Sequence, residues 1–316
     1  MISSKKIFRW YKEVLSGFPE EETQRQLTEH DLIDKATGQI ISVPILKQEN
    51  FGEEMVIDDK NIGSEEYTII SNPKTKKIAV MVMSRKVEFI KQALDKIPSK
   101  IRRGVKTIAK DMAPGYDWIA RMYFSFADRI ADKFHVLTLA FEALQAIRIR
   151  YRQEVMTRER EAKENKKKFT QQRFSNGETE KELLARSHGL LYKRPDQWTF
   201  PQKERAGILF ALYPEIEKSY HIILRFRYFY QTKEYCKATE DLQRWFVKAK
   251  ESESSEIQNF AHMVDTHRGD ILNYFIHHKT NAFAESLNSH IQRFFINNYG
   301  VRNRDFFHFR VKTYFS

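Results

Sequence analysis

"EEMVIDDKNIGSEEYTIISNPKTKKIAVMVMS", residues 53–84, decides the fold. Three short runs rich in Val, Ile, Met and Tyr, at 53–59, 65–71 and 76–84, are separated by polar punctuation. "NPKT" between the last two is a turn, so those two runs form a hairpin. β-Branched and aromatic side chains suit a pleated, half-buried surface, and the whole stretch reads as a three-stranded meander. The pattern then changes. "RKVEFIKQALDKIP" is an amphipathic helix stopped near Pro98, "GVKTIAKD" (104–111) a fourth strand and "YDWIARMYFSF" a helix. "DRIAD" (128–132) is a short fifth strand and "FHVLTLAFEALQAIRIRYRQEV" a long helix.

Three strands in a meander followed by helix, strand, helix, strand, helix has few foldable solutions. The fourth and fifth strands must enter the sheet through crossovers, which want parallel neighbours and helices on the faces. This is the element order of the ribonuclease H-like fold, an α/β class with a mixed sheet. Before it, residues 1–50 read as an N-terminal helix (5–18) and a linker with one short strand, "QIISVPIL". The first part of the core spans 51–151. From 152 to 279 the β signal disappears and the segments are helical, an all-helical insertion. Residues 280–316 complete the core. No internal repeat is evident.

Composition sets the outer limits. The chain has 316 residues, 41% of them hydrophobic, with 24 Phe and 14 Tyr, enough for a sizeable core. A formal charge of +12 favours a polyanionic partner such as nucleic acid. One cysteine, Cys236, excludes an intramolecular disulfide and a multi-cysteine zinc finger. No apolar run approaches membrane-spanning length, and "MISSKKIFRWYKEVL" lacks a signal-peptide core. The expectation is a soluble intracellular protein with no membrane partner.

Carboxylates gather at strand ends. Asp58 and Asp59 close the first strand, Asp111 the fourth and Asp132 the fifth. Strand C-termini in a parallel region converge on a crevice where α/β sheets keep their chemistry. The first and fourth strands are neighbours in the expected order, so their side chains could share an ion. Two hard divalent cations about 3.5–4 Å apart need several carboxylate oxygens and could activate an attacking oxygen on a phosphodiester.

A further carboxylate comes late, in "TNAFAESLNSHIQRFF", residues 280–295. Phe283, Leu287, Ile291 and Phe294 make a buried helical stripe, and Glu285, Asn288, Ser289 and Gln292 turn away from it. No Lys partner sits four residues along, as a solvated face would usually provide. Glu285 is a lone carboxylate among amides and would complete a metal site. The plainer reading of each aspartate is a helix cap or turn residue, and Asp132, just before a helix, fits that reading best.

Basic residues cluster twice. "SYHIILRFRYFYQTKEY" (219–235) interleaves Arg225 and Arg227 with aromatics that could stack on bases; alternatively the aromatic side is core and the arginines are merely exposed. Arg302, Arg304, Arg310 and Lys312 follow the 280–295 helix and are candidates for phosphate contacts. "REREAKENKKK" mixes both signs and reads as a solvated helix.

Taken together, "VIDDKNIGSEEYTII", "KDMAPGY", "ADKFHVLTLAFEALQAIRIRYR", "LLARSHGLLYK" and "TNAFAESLNSHIQRFFINNYGVRN" resemble the DDE transposases of bacterial insertion sequences. The similarity is to the branch with D-x-F-H-V after the fifth strand and T-N-x-x-x-E-x-x-N late in the chain, two motifs that are specific when found together in this order. It covers about residues 40–312. The resemblance implies a ribonuclease H-like core with a helical insertion before the glutamate. It also implies cleavage and joining of double-stranded DNA, at element ends and target, with two Mg²⁺ or Mn²⁺ ions. It places the metal ligands on Asp58, with Asp59 as a neighbour, on Asp111, and on Glu285. Asp132 of "ADKFHV" is the rival for the second position; Asp111 is preferred because the first and fourth strands are adjacent. Asn281 and Asn288 share the Glu285 face, to orient it or to contact DNA. His135 falls near the site or is a half-buried residue at a helix start.

One departure stands out. Relatives commonly carry an N-terminal cysteine-rich finger and a helix-turn-helix, and no cysteine lies among the fifty residues before the first strand. Either those modules lie on a separate polypeptide or the chain is incomplete; because "MISSKK" looks like a natural start, a separate DNA-recognition polypeptide is expected, together with a homo-oligomer, a dimer, acting on the nucleoid in the bacterial cytoplasm. The alternatives are a nuclease of the same fold that cuts without joining, and a DNA-binding descendant that has lost the chemistry. Retention of Asp58, Asp111 and Glu285 argues against the last.

Overall fold

The computed structural model describes residues 4–18, 30–164, 172–278, 282–297 and 304–316, excepting the side chains of 4, 5, 8, 282, 284, 285 and 297. The chain divides into two compact units, Met1–Asp132 with Lys279–Ser316, and Lys133–His278.

The first unit opens with α1 (Ser4–Trp10), which passes into a π-helical turn, Tyr11–Leu15. β1 (Leu32–Ile33) and β2 (Ile40–Ile41) form a small antiparallel pair. The main sheet takes β3 (Ile45–Leu46), β4 (Glu54–Ile62), β5 (Glu65–Asn72), β6 (Lys77–Val82), β7 (Thr107–Lys110) and β8 (Asp128–Ala131). Their order is β3-β6-β5-β4-β7-β8, antiparallel from β3 to β4 and parallel from β4 to β8. The class is mixed α/β around a six-stranded mixed sheet.

Two strands differ from the expectation. The "QIISVPIL" segment is split between β2 and β3. Pro44 has no N–H for a ladder, and on either side of it the chain changes partner from β1 to β6. β4 does not stop at Asp59 but continues to Ile62. Lys60 and Asn61 look like a loop in sequence, yet they pair with Tyr67 and Glu66 across the hairpin. The turn is the dipeptide Gly63-Ser64; Gly63 has φ +64° and Ser64 is not among the positive-φ residues, which is the pattern of a type II′ turn.

Period-2 alternation sorts the sheet's faces. Met55, Ile57, Ile70, Val80, Val82 and Ile108 pack on one side with Phe89, Ile90 and Leu94 of α2 (Val87–Asp95) and Tyr116 and Ile119 of α4 (Pro114–Tyr123). Between those helices lies α3 (Ser99–Arg103). α4 begins with Pro114 in its first turn, where a missing N–H costs nothing.

The second unit is helical, apart from an isolated bridge between Arg173 and Thr179. It contains α5 (Lys133–Glu164), α6 (Glu180–Arg186), α7 (His188–Leu191), α8 (Phe200–Leu212), α9 (Pro214–Phe229), α10 (Tyr235–Lys250), α11 (Ser255–Thr266) and α12 (Arg268–His277). Buried polar ties lock it. Arg148 donates to Gln145 Oε1 and to the Leu184 carbonyl, and Glu178, almost wholly buried, accepts from Arg205 at 2.5 Å and Arg186 at 3.2 Å.

The aromatic run on α9 belongs to this core, which corrects the base-stacking expectation for Phe226, Phe229 and Tyr230. Phe226, Phe229 and Tyr230 are buried: Phe226 meets Trp245 and Phe260 and Phe229 meets Phe275, tilted or edge-on, while Tyr230 lies edge-on to Tyr274 and stacks on Phe275. Helical periodicity turns these rings inward, leaving Tyr228 exposed. Arg227 donates to the Tyr192 carbonyl and lies over the Phe141 ring, while Arg225 is exposed. Among the described residues no helix is long and apolar enough to cross a membrane.

The chain then returns to the first unit as α13 (Ala282–Asn297) and α14 (Arg304–Phe315). Leu287 and Ile291 of α13, with Phe307 and Val311 of α14, pack on the second face of the sheet against Ile62, Tyr67, Ile69, Ile78 and Met81. A buried hydrogen bond between the Tyr67 hydroxyl and His308 Nε2, 2.9 Å, pins α14 to β5.

Candidate functional site

Strand register brings the aspartates together. β4 and β7 pair Met55 with Ile108 and Val56 with Ala109, and β7 and β8 pair Ala109 with Ile130 and Lys110 with Ala131. The Asp132 N–H still donates to the Lys110 carbonyl at 2.8 Å, so the parallel ladder runs to the end of β8. Extended two residues past the last β4–β7 pair, this register runs from Asp58 to Asp111, and extended one residue past the last β7–β8 pair it runs from Asp111 to Asp132. Neighbouring strands lie about 4.8 Å apart. By strand order Asp111 follows the strand next to that of Asp58, and Asp132 follows the strand beyond it.

Asp58 is buried, 6% exposed, on the α13 side of β4. Its Oδ1 accepts the N–H of Asp59 at 2.8 Å, and its Oδ2 accepts the side-chain amide of Asn288 at 2.7 Å. That second bond joins α13 to β4 just beyond the point where β7 ends. Asp59, one residue on, belongs to the opposite face by alternation. It is ion-paired with Arg85, which also donates to Asn61 at 2.7 Å and lies 3.3 Å from Glu66. Asp111 is half-buried, and its Oδ1 accepts the Ala113 N–H at 2.7 Å, an Asx-type turn that feeds α4.

Two further groups flank the row. Lys110, directly before Asp111, is fully buried, and its ammonium lies 3.2 Å from Asp117 Oδ1 on α4. Burial raises the Asp117 carboxyl, but the charges and hydrogen bonds of Lys110 and Arg121 outweigh it and hold the group below its usual value. The Tyr116 hydroxyl meets Thr68 Oγ1 at 3.2 Å. Burial first, then the charges of Asp59 and Asp111, push this phenol far up against the opposing Thr68 hydrogen bond, so it stays a neutral donor. The sequence reading assigned neither residue a role. A lone Lys inside the apolar run "KTIAKD" was the available signal for Lys110; Tyr116 ends "KDMAPGY" without one.

The other expected residues scatter. Glu285 lies on α13 three residues before Asn288, and its side chain is outside the described set, as are Asn281 and Arg302 altogether. His135 is half-buried in the first turn of α5, in the second unit. Asp132 is 1% exposed. Arg304 is ion-paired with Glu65. Arg310 is half-buried, its guanidinium 4.2 Å from the Phe294 ring centroid and also facing Tyr11, Phe306 and Tyr314. Lys312 is exposed. A cavity of about 360 Å³ lies at the tip of the β4–β5 hairpin, lined by Gly63, Glu65, Phe295 and Arg304 among others, and includes none of the three aspartates.

Comparison with known families decides the kinship. The family model DDE_Tnp_ISL3, described as a transposase, matches residues 55–311. The chain belongs to this transposase family. No curated protein and no solved structure matches it. The matched span of the transposase opens in β4 three residues before Asp58 and closes in α14, so it takes in the aspartate row and the Asn288 contact. Asp58 and the Asn288 amide in contact with it offer oxygen donors. Such a set suits Mg²⁺ or Mn²⁺, whereas softer metals prefer thiolate or imidazole. The Asn288 amide oxygen is buried and makes no hydrogen bond among the described residues, which leaves a hard donor available there.

Proposed function

We propose that this transposase cleaves DNA at the ends of an insertion sequence and joins them to a target, using Asp58, Asp111 and Glu285 as ligands for two Mg²⁺ or Mn²⁺ ions in a ribonuclease H-like core. The observation that carries the reading is the Asn288–Asp58 hydrogen bond. It ties the helix bearing Glu285 to the strand bearing Asp58, and Asn288 is one turn from Glu285, the spacing at which helical residues share a face. The sheet order, with parallel pairing confined to β4, β7 and β8, supports the core assignment. Bound there, divalent cations would supply Lewis-acid activation of an attacking oxygen and neutralise charge on the leaving one.

The chain's own residues do the positioning. Asp58 is oriented by two hydrogen bonds before anything binds. Arg85 engages Asp59 and so separates its charge from the row. The Asx-type turn at Ala113 fixes one Asp111 oxygen, and Tyr116 offers a neutral hydroxyl near that end. A net charge of +12 suits a DNA partner. A dimer and a separate end-recognising polypeptide belong to the same proposal.

The test is strand cleavage and joining of labelled element ends with Mg²⁺, alongside gel-shift binding, with any end-recognising polypeptide supplied. Asp58→Asn, Asp111→Asn and Glu285→Gln should each lose cleavage by orders of magnitude and keep DNA binding, while Asp132→Asn should retain most activity. Loss with Asp132→Asn and retention with Asp111→Asn would move the second ligand to Asp132. Cleavage without joined product would make the chain a nuclease, and undiminished cleavage by Glu285→Gln would end the assignment.

A further inference from the structure

Asn288 carries an unexplained atom. The residue is 7% exposed, and its amide nitrogen donates to Asp58 Oδ2 at 2.7 Å and lies 3.5 Å from the Asp59 carbonyl oxygen. A carboxylate and a carbonyl are acceptors only. Turning the amide over would set Oδ1 against two oxygens, so the orientation is dictated by its neighbours rather than chosen. Oδ1 is then left buried, beside Asp58, with no hydrogen-bond donor among the described residues. If Asn288 served only to pin α13 to β4, its N–H would suffice. A buried acceptor without a partner is destabilising, and it is unusual enough to need an explanation.

We propose that Asn288 is itself a cation ligand: its nitrogen orients Asp58, and its oxygen donates a lone pair to the divalent ion that Asp58 binds. This rests on the metal-site reading above and adds a residue to it. Asn carbonyl oxygens are ordinary ligands for hard cations. A neutral ligand raises the coordination number without adding negative charge to a row that already holds three aspartates and must admit a phosphodiester. It also makes ion binding and the docking of α13 on β4 interdependent, because one side chain contacts both.

The experiment binds Mn²⁺ alone to the full-length protein and reads the ion by electron paramagnetic resonance and ¹³C electron–nuclear double resonance, with asparagine ¹³C-labelled. Native protein should show a ¹³C coupling from an asparagine carbonyl carbon. That coupling should vanish in Asn288→Ala and in Asn288→Asp, the second variant preserving side-chain size if the first folds poorly. Asn288→Ala should weaken Mn²⁺ binding by about tenfold, the scale seen when a supporting metal-site residue is removed. Mn²⁺ binding that is abolished by Asp58→Asn yet shows no asparagine coupling in native protein would overturn the Asn288 assignment and leave the metal site standing. Mn²⁺ binding indifferent to Asp58→Asn would remove both.

Discussion

Asp117→Asn takes a carboxylate away from a wholly buried ammonium. Lys110 Nζ and Asp117 Oδ1 are 3.2 Å apart, and unit charges at that separation attract by about 5 kcal/mol at an effective dielectric of about 20. Desolvation opposes this, and breaking a buried pair by removing one partner typically costs about 3–5 kcal/mol. An independent ceiling exists. Neutralising an ordinary lysine at pH 7 costs about 4.6 kcal/mol, from about 3.4 pKa steps at about 1.36 kcal/mol each, so losing the Asp117 partner need never cost more. With about 2–4 °C of Tm per kcal/mol at this size, the variant should melt about 6–18 °C below the native protein at pH 7. Lys110→Met combined with Asp117→Asn should recover much of the loss, since neither half of this pair is then left charged. The acid limb should change too. A carboxyl held below its free value stabilises the fold above that value and loses the contribution as pH falls through the lower folded one. The native protein should lose this component below about pH 4, and Asp117→Asn should lack it. The assay is thermal melting by circular dichroism across pH. A melting point within about 2 °C of native at pH 7, less than the span of about 1 kcal/mol, would refute the reasoning. Because Lys110 directly precedes Asp111, the same pair holds the end of β7 on which the aspartate row depends.

Gly63→Ala should lower Tm by a few degrees. Alanine in the left-handed region costs about 1–2 kcal/mol, and its Cβ would stand 3.1 Å from Phe295 Cζ; unchanged stability would contradict the turn. DNA binding should weaken steeply with salt, log K falling with log salt at a slope of about −0.9 per phosphate neutralised. A flat dependence in a filter-binding titration would exclude a backbone-tracking surface.

The sheet was legible wherever β-branched runs ended in punctuation. Asn72-Pro73 marked the hairpin, and "GVKTIAKD" and "DRIAD" located β7 and β8. Lys60 and Asn61 hid the last third of β4, because a strand leaving its buried, parallel neighbour can be polar and still pair across a hairpin. A two-residue strand such as Ile45–Leu46 has too few residues to show a period, so "QIISVPIL" read as one strand before the core and its division between two sheets went unseen. The family kinship was readable because its motifs are local in sequence. The order of the strands that carry the aspartates followed from the element order, but the face each side chain takes did not, since a strand's side chains change face with a one-residue slip and register depends on partners far along the chain. Nor could composition say which way the α9 rings turn: "RFRYFY" reads equally as a base platform or as a core, and Trp245, Phe260 and Phe275 decide for the core.

The central claim is that one cation site joins β4, β7 and α13. Anomalous diffraction from crystals of the full chain grown with Mn²⁺ tests it most directly. Mn²⁺ peaks should be bounded by oxygens of Asp58, Asp111 and Glu285, two of them about 3.5–4 Å apart when both sites fill. Mn²⁺ ordered elsewhere in the crystal, with no peak beside Asp58, would contradict it.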